Sequence, residues 1–525
     1  MLTVIKNADK VDWANMSLQE MMLGNAYDTE FTYRLNKILT EQKKKDYHSR
    51  AYDKIMKRAI PIFAEIGIQG VRVDPERLHK VRHNLETDIK VLEDRLLENY
   101  PGLNLNSNVQ VMSVLFEEEF TYQVPVKVLK KYKNGKEKLV NRKEDREAKG
   151  FDLMPEKDHL TDSKLPSTDK EALNAYIWQV TQKTKNPEAE KWLKDLKEYK
   201  RLTKLLSAFV DSIDVSMENS GRDYVYFKYK LDGTVTGRLS CSMLTKGNKK
   251  EDKLGVSFHT LPREKDEKYN VRDSFVVDDY ETQDFIAADY STMELRILAH
   301  MSQDEAMMKA FQEGLDLHTY TASLVFNKKM EDVTKEERST AKTINFAIVY
   351  GAGIRKIAQS CELSVEQTKF ILGRHKQVFN RAHKWLESLE HYMRENYRTV
   401  SLFGRSRRLP DIKSKQENIV HSCFRKGKNS VIQSSASDVL VCATIEIYDF
   451  IRDNYVPNTR ILANVHDSIE IAVDKRLTIP FCRELNRIME KPKLLREFGI
   501  ELSVPLKVDI EVGSSFGDCK EVELV

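Results

Sequence analysis

The chain has 525 residues, 41% hydrophobic and 32% charged, with a mean hydropathy of −0.53, a balance that argues against a disordered chain and against a membrane-spanning one. Its 85 basic and 81 acidic side chains leave +4, too little to indicate a polyanionic partner, so any nucleic-acid argument rests on where the basic residues lie. Length alone fits three or four domains or one large interrupted fold.

The opening MLTVIKNADKVDW lacks a basic-then-apolar leader, and no run approaches the ~20 apolar residues of a spanning helix. Six scattered cysteines (Cys241, Cys361, Cys423, Cys442, Cys482, Cys519) without a C-x-x-C pair argue against a zinc site or a disulfide framework. Together these features predict a cytoplasmic protein. Residues 1–55 are polar and patternless until Phe31–Ile38 and read as an appendage. Helical spacing runs from Tyr52 to about Phe116, with a turn at Gly67–Asp74 and a break at Tyr100–Ser107.

Between Lys127 and Lys149 ten Lys/Arg stand against four acids, a net +6 in 23 residues. Such a run reads either as a solvated, partly disordered loop or as an arm that tracks phosphates. Helical pattern resumes from Lys170 to about Ser212, Tyr224–Lys230 alternates like a strand, and Gly233–Arg238 looks like a turn. Strand and helix signals alternate over 285–350, 361–398 is helical, and 461–473 reads as a hairpin.

Three segments carry chemistry. Phe285–Glu294 passes from an apolar run into a helix, with Ser291 and Glu294 spaced as a capping box, so Asp289 is expected at a strand end. The apolar strands of 461–473 meet at a polar tip holding His466, Asp467 and Ser468. Two strand-end aspartates could converge on an all-oxygen site, which suits Mg²⁺. Between them, Thr334 and Glu337 form a second capping box and Gly351 with Gly353 stops the helix. On that helix Arg338, Lys342, Phe346 and Tyr350 are each four apart and span one stripe. Its two cations can hold a polyphosphate and its two rings can stack on a base and sugar. No glycine-rich phosphate loop is present, so side chains would do the holding.

The stretches 289–296 (DYSTMELR), 338–351 (RSTAKTINFAIVYG) and 465–468 (VHDS) resemble motifs A, B and C of family A DNA polymerases, the DNA polymerase I class, in order and separation. Thr236–Ser240, Phe403–Ile412, Arg425–Asn429 with Gln433–Asp438, and Val504–Val508 agree. The likeness runs from about residue 55 to 525 and is similar in style to bacteriophage members. It implies an α+β right-hand fold with an antiparallel-sheet palm, helical fingers and a helical thumb. The expected division is an appendage (1–55), thumb (56–225, with a basic insert near 120–164), palm (226–300 and 415–525) and fingers (301–414).

The resemblance further implies template-directed DNA synthesis: dNMP is added from dNTP to a primer 3′-hydroxyl in phage-type replication, with two Mg²⁺ ions on Asp289 and Asp467. Arg338 and Lys342 match the triphosphate-binding pair, with Lys342 also placed to protonate the leaving group, and His318 matches a further triphosphate contact. Phe346 falls at the ring that packs on the incoming sugar and Tyr350 beside the insertion site. Glu294 matches the steric gate against a ribose 2′-hydroxyl. Arg238, Arg425, Asn429, Gln433 and His466 match primer–template contacts.

There are two departures. Ser468 replaces the usual Glu after the motif C Asp, and Glu470, two residues from the tip, is not expected to substitute. Residues 1–55 are too few for a 3′–5′ exonuclease domain; Gly24–Leu35 looks like the end of one, with Asp28 near its last acid but Gly24 where a Tyr should be. The chain is therefore expected to lack proofreading, with a separate exonuclease chain or a processivity factor as possible partners besides primer–template and dNTPs. An inert DNA-binding replisome scaffold, suggested by Ser468, is the alternative.

Overall fold

The computed structural model describes residues 17–45, 49–131, 137–155, 159–161, 164–245, 252–264 and 266–524. The opening segment and two cations of the basic run, Lys133 and Lys136, lie outside the described residues.

Residues Leu18–Lys45 form one 28-residue helix, α1, where the sequence pattern suggested a patternless appendage. Its apolar side chains, Met22, Phe31 and Leu35 among them, are exposed, so no buried stripe marks it as a helix. A helical block follows, including α2 (Lys57–Gln69) and α3 (Pro75–Leu96). Asp74 caps α3 by accepting from the Glu76 and Arg77 amides, with Pro75 at the first helical position. The turn between them contains a short strand, Val71–Val73, paired antiparallel with Tyr224–Val225 and Phe275–Val276.

The basic run is a regular β-ribbon rather than a loop. Strands β1 (Glu119–Lys131) and β2 (Glu137–Lys149) pair antiparallel along their whole length. Period two puts Phe120, Tyr122 and Val124 on one face at its base, all buried, with Phe120 beside Tyr100 and Val124 against Gly102. Tyr100 donates to the Lys149 carbonyl (3.0 Å) and Arg146 to that of Pro101 (2.9 Å). Beyond Val126 the ribbon projects, with Lys127, Lys130, Lys138, Arg142 and Lys143 exposed. A free two-stranded ribbon is marginal in water, and its docked aromatic base is what holds this one. Helix α4 (Pro187–Leu205), whose Trp192 packs on Tyr100, closes the block.

A five-stranded antiparallel sheet organises the rest, in the order β4-β5-β3-β6-β7. These strands are β3 (Gln283–Tyr290), β4 (Arg460–Val465), β5 (Ser468–Asp474), β6 (Val508–Gly513) and β7 (Lys520–Glu521). Alternation divides its central faces by chemistry. Ile286, Ala288, Tyr290, Ile469, Ile471, Val508 and Ile510 share the apolar face, while Asp289, Ser468, Glu470, Asp509 and Glu511 share the other. The Tyr290 hydroxyl donates to the Met489 carbonyl (2.6 Å), and Asn464 reaches Thr444 (2.8 Å) on a long helix behind the sheet.

Between β3 and β4 run α5 (Met293–Ser302), α6 (Leu317–Phe326), α7 (Lys335–Tyr350), α8 (Val365–Val378), α9 (Asn380–Asn396) and α10 (Glu417–Asp453). Thr334 and Glu337 close the expected capping box on α7, and Gly351 ends it with φ 63°. Gly353 instead is the N-cap of a short helix, Ile354–Cys361, that precedes α8. The other expected box does not form. Thr292 is the residue before α5, in a left-handed conformation (φ 50°) with no side-chain cap, and Glu294 turns inward to Arg238. The 37-residue α10 is long and apolar enough to cross a membrane, yet its apolar window is 89% buried. It is the core helix behind the sheet.

Candidate active site

β3, the central strand, carries Asp289 near its C-terminal end, where its strand partners are Ser468 and Asp509. The adjacent Tyr290 amide donates to the Asp467 carbonyl at 3.1 Å, so both aspartates lie at neighbouring strand ends. The β4–β5 tip is tight, with His466 at φ 59°. Asn464 braces it: its carbonyl accepts from the Tyr229 hydroxyl (2.8 Å) and lies 3.0 Å from His259 Nε2, and its amide donates to Tyr229 (2.7 Å). Burial holds His259 down at about 4, so its imidazole is neutral beside His466.

Asp289 is open to solvent at its tip but stands on the floor of a hollow of about 580 Å³ lined by Arg263, Arg272, Glu470 and Asp509. Loss of surrounding water, then the Asp467 charge, push it up to about 6, with Arg263 opposing. Burial raises Asp467 too, against Arg238 and His466. Two neighbouring carboxylates that both resist ionisation attract a divalent cation.

Ser468 Oγ lies 2.9 Å from the Val465 carbonyl and 2.6 Å from Glu470 Oε1. Glu470, 1% exposed, is raised to about 8 by burial. It is therefore protonated at neutral pH and can donate to Ser468, which donates on to Val465. Distance from the tip was the reason for discounting Glu470, but period two returns it to the face of Asp289. What keeps it from replacing a tip carboxylate is its neutral, buried state.

Glu294 is 3% exposed and paired with Arg238. Burial raises its pKa, opposed by Arg238 and by Tyr350 and reinforced by Asp467, so these four side chains surround one point. The loop carrying Arg238 packs on α10: Gly237 abuts Ser434 and the Leu239 amide donates to Ser437 (3.2 Å). Arg425, Asn429 and Gln433 share one stripe of α10; Arg425 is exposed and Gln433 is 5% exposed. Arg425 touches the end of α7 at Gly351, which brings the two helices to the same cleft.

On α7, Arg338, Lys342 and Tyr350 are exposed and Phe346 half-buried, while Ala341, Ile344, Asn345, Ala347 and Val349 are buried. Phe346 and Tyr350 stack with centroids 6.4 Å apart, and His318 of α6 lies 5.7 Å from Phe346. Sequence reasoning did not anticipate Asp316, which pairs with Arg338 through two bonds of 2.8 and 3.1 Å. Although burial opposes ionisation, Arg338 and Thr319 bring Asp316 down to about 2. It also missed Arg263, Arg272 and the buried Arg405–Asp438 pair. Spacing offers no signal for any of these, because each partner lies on a different element.

A sheet bearing paired strand-end aspartates, faced by helices that carry cations and stacked rings, is the architecture of a right-hand polymerase, here α+β. Residues 150–518 match the family model described as DNA polymerase family A. The chain is 28% identical over 471 residues to DNA polymerase I of Caldicellulosiruptor bescii, covering 89% of this chain and 47% of that protein. It is likewise 28% identical over 475 residues to the thermostable DNA polymerase I of Thermus aquaticus (90% and 48%). Among solved structures, the POL domain of Pol1 from M. smegmatis, in complex with DNA primer-template and dNTP, superposes with a TM-score of 0.71 at 24% identity, covering 88% of this chain and 70% of that one. The chain belongs to DNA polymerase family A, and it spans about half the length of the curated relatives it matches.

Proposed function

We propose that this chain performs template-directed DNA synthesis, adding dNMP from dNTP to a primer 3′-hydroxyl. The observation that carries the proposal is the placement of Asp289 and Asp467 at adjacent strand ends, with Glu294 and the exposed stripe of α7 at the same cleft. Among the described residues no three His, Cys, Asp or Glu are grouped to cage a metal. Asp289 and Asp467 would thus hold Mg²⁺ whose other positions are filled by phosphate and water. Two such ions would supply charge neutralisation at the reacting phosphate and activation of the primer hydroxyl.

The chain's own residues do the rest. Arg338 exchanges Asp316 for the triphosphate, trading one charge-assisted pair for another. Lys342 binds beside it and protonates the departing pyrophosphate. Phe346 packs on the sugar, Tyr350 stands at the insertion site, and His318 adds a triphosphate contact. Arg238, Arg425, Asn429, Gln433 and His466 contact the primer and template at the last pairs, where minor-groove acceptors are nearly alike for all sequences. The thumb, palm, fingers and palm divide at about 56–225, 226–300, 301–414 and 415–525. Extending a primer on a defined template, one dNTP at a time, tests the reading: incorporation that ignores the template base would defeat it.

The buried Glu294 fills the space a ribose 2′-hydroxyl would need. Glu294→Ala is expected to reduce discrimination against ribonucleotides about a hundredfold or more, read as the ratio of kcat/KM for dNTP and rNTP. Unchanged discrimination would remove Glu294 from that role.

The projecting ribbon would follow duplex phosphates. Replacing residues 127–141 by a short turn, which spares the docked base, is expected to shorten products several-fold and flatten the salt dependence while single additions persist. Products of unaltered length would refute it. The setting is phage-type replication in the cytoplasm, with a separate exonuclease chain or processivity factor as partner. This chain alone is expected to release no 3′ label from a mismatched primer. An inert scaffold is disfavoured by the joint presence of Asp289, Asp467, Arg338, Lys342 and Glu294.

A further inference from the structure

Behind the exposed stripe of α7 a line of buried polar side chains crosses four helices. Asn345 of α7 places Nδ2 3.1 Å from His318 Nδ1 on α6 and donates to Thr321 Oγ1 at 3.0 Å. His375 of α8 lies with Nε2 2.9 Å from Asn345 Oδ1 and Nδ1 3.1 Å from His383 Nε2 on α9. His318, Asn345 and His375 are 3%, 4% and 4% exposed. Of the five side chains in this line, only His318 is among the residues assigned above to substrate.

The shorter bonds select one of two proton arrangements along this line. The Thr321 hydroxyl donates to the Leu317 carbonyl at 2.7 Å in preference to Asn345 Oδ1 at 3.4 Å, so its oxygen accepts from Asn345 and the amide nitrogen faces Thr321 and His318. The amide oxygen then faces His375, which must donate from Nε2 and accept at Nδ1 from His383. Every donor points toward His318, whose Nδ1 accepts and whose proton therefore sits on Nε2. Burial, with Arg338 and Lys342 nearby and only Asp316 opposing, keeps that ring neutral, down at about 4.

We propose that Asn345 and His375 are positioning residues that lock His318 as the neutral Nε2–H tautomer, so that it meets the dNTP phosphates as a hydrogen-bond donor of fixed direction beside Arg338 and Lys342. The inference rests on the polymerase reading for its ligand, but the wiring itself does not. A buried amide between two imidazoles has two orientations, and the orientation seen from α8 decides what His318 offers on the far side of α7.

Long-range ¹⁵N–¹H spectra of the full chain labelled at histidine read the tautomers without turnover. Wild type is expected to show His318 and His375 as neutral Nε2–H. Asn345→Asp converts the donor to an acceptor, and should move the His318 proton to Nδ1 and weaken dNTP binding to a primer–template complex about tenfold, with kcat within about twofold. Because a buried Asp could disturb folding, His375→Phe and His375→Gln form a second arm. Phe frees the Asn345 amide to rotate and should reproduce the weaker binding, whereas Gln can still donate and should retain the wild-type tautomer and affinity. An Nδ1–H tautomer at His318 in wild type, a flip without loss of dNTP affinity, or equal behaviour of the Phe and Gln variants would each overturn the proposal. A chain with the expected tautomers that extended no primer would defeat the polymerase reading while the spectrum still decided the wiring.

Discussion

Replacing Asp467 with alanine should lower single-nucleotide incorporation about a hundred- to a thousandfold or more, while the melting temperature stays level or rises. The two halves of this expectation have one cause. Asp467 lies beside Asp289, and each is harder to ionise than a free carboxylate, chiefly through burial. Ionising them in this desolvated setting therefore costs folding free energy at neutral pH, and deleting Asp467 relieves its own share together with its repulsion of Asp289. The same deletion removes one of the two carboxylates proposed to hold Mg²⁺, and losing such an electrostatic element commonly costs this much in rate. Asp467→Asn separates charge from volume: it should be as inactive as the alanine variant, with Asp289 returning toward an ordinary carboxylate value. Rapid-quench incorporation and a thermal melt on the same preparation check both halves. Activity within tenfold of wild type would sink the site.

Arg405→Ala should destabilise the chain by about 3–5 kcal/mol at neutral pH, more than loss of any surface pair. The Arg405 guanidinium reaches Asp438 at 2.8 Å and the carbonyls of Gly237 and Leu231 at 3.2 and 3.4 Å. Asp438 is 1% exposed, with Oδ2 left without a partner, and burial lifts it to about 6 against the pull of Arg405. Because its folded value stands above that of a free carboxylate, its contribution to stability is most favourable below about pH 4 and declines as pH rises through about 6. Without Arg405 the buried carboxylate has no counter-charge, so the deficit should be larger at pH 8 than at pH 5. Arg405→Leu combined with Asp438→Leu should recover much of the loss, since it removes both charges together. Urea unfolding at the two pH values checks this, and a deficit independent of pH would refute it. The same bond latches the 231–238 turn to α10, so Arg405→Ala should also impair extension at temperatures where the protein remains folded.

Much of the candidate site could be read along the chain. The stripe Arg338, Lys342, Phe346, Tyr350 lies on one exposed helix face because 3.6 residues per turn dictates it, and Thr334 with Glu337 caps that helix as the spacing requires. The hairpin tip carrying Asp467 was visible in its apolar flanks. The same capping pattern at Ser291 and Glu294 misled, because Glu294 gains more from Arg238 across the cleft than from a helix end. Charge density hid the ribbon, since Phe120, Tyr122 and Val124 alternate for only a few residues before the lysines begin.

By itself, then, the order of residues determined the helix and the hairpin that carry the candidate site, the stripe of α7 that lines the cleft, and the family to which the chain belongs, while α1 and the β1–β2 ribbon escaped it. Caps, periods and strand tips depend on neighbours within a few positions, so local spacing is enough. Only the folded molecule decided that Asp316 occupies Arg338, that Glu470 turns back beneath Asp289 as a neutral acid, that Arg405 guards Asp438, and that three histidines and an asparagine align across four helices. Those choices depend on which distant groups are desolvated together, and the cost of burying a charge or a proton donor is set by the partner that arrives from elsewhere in the chain.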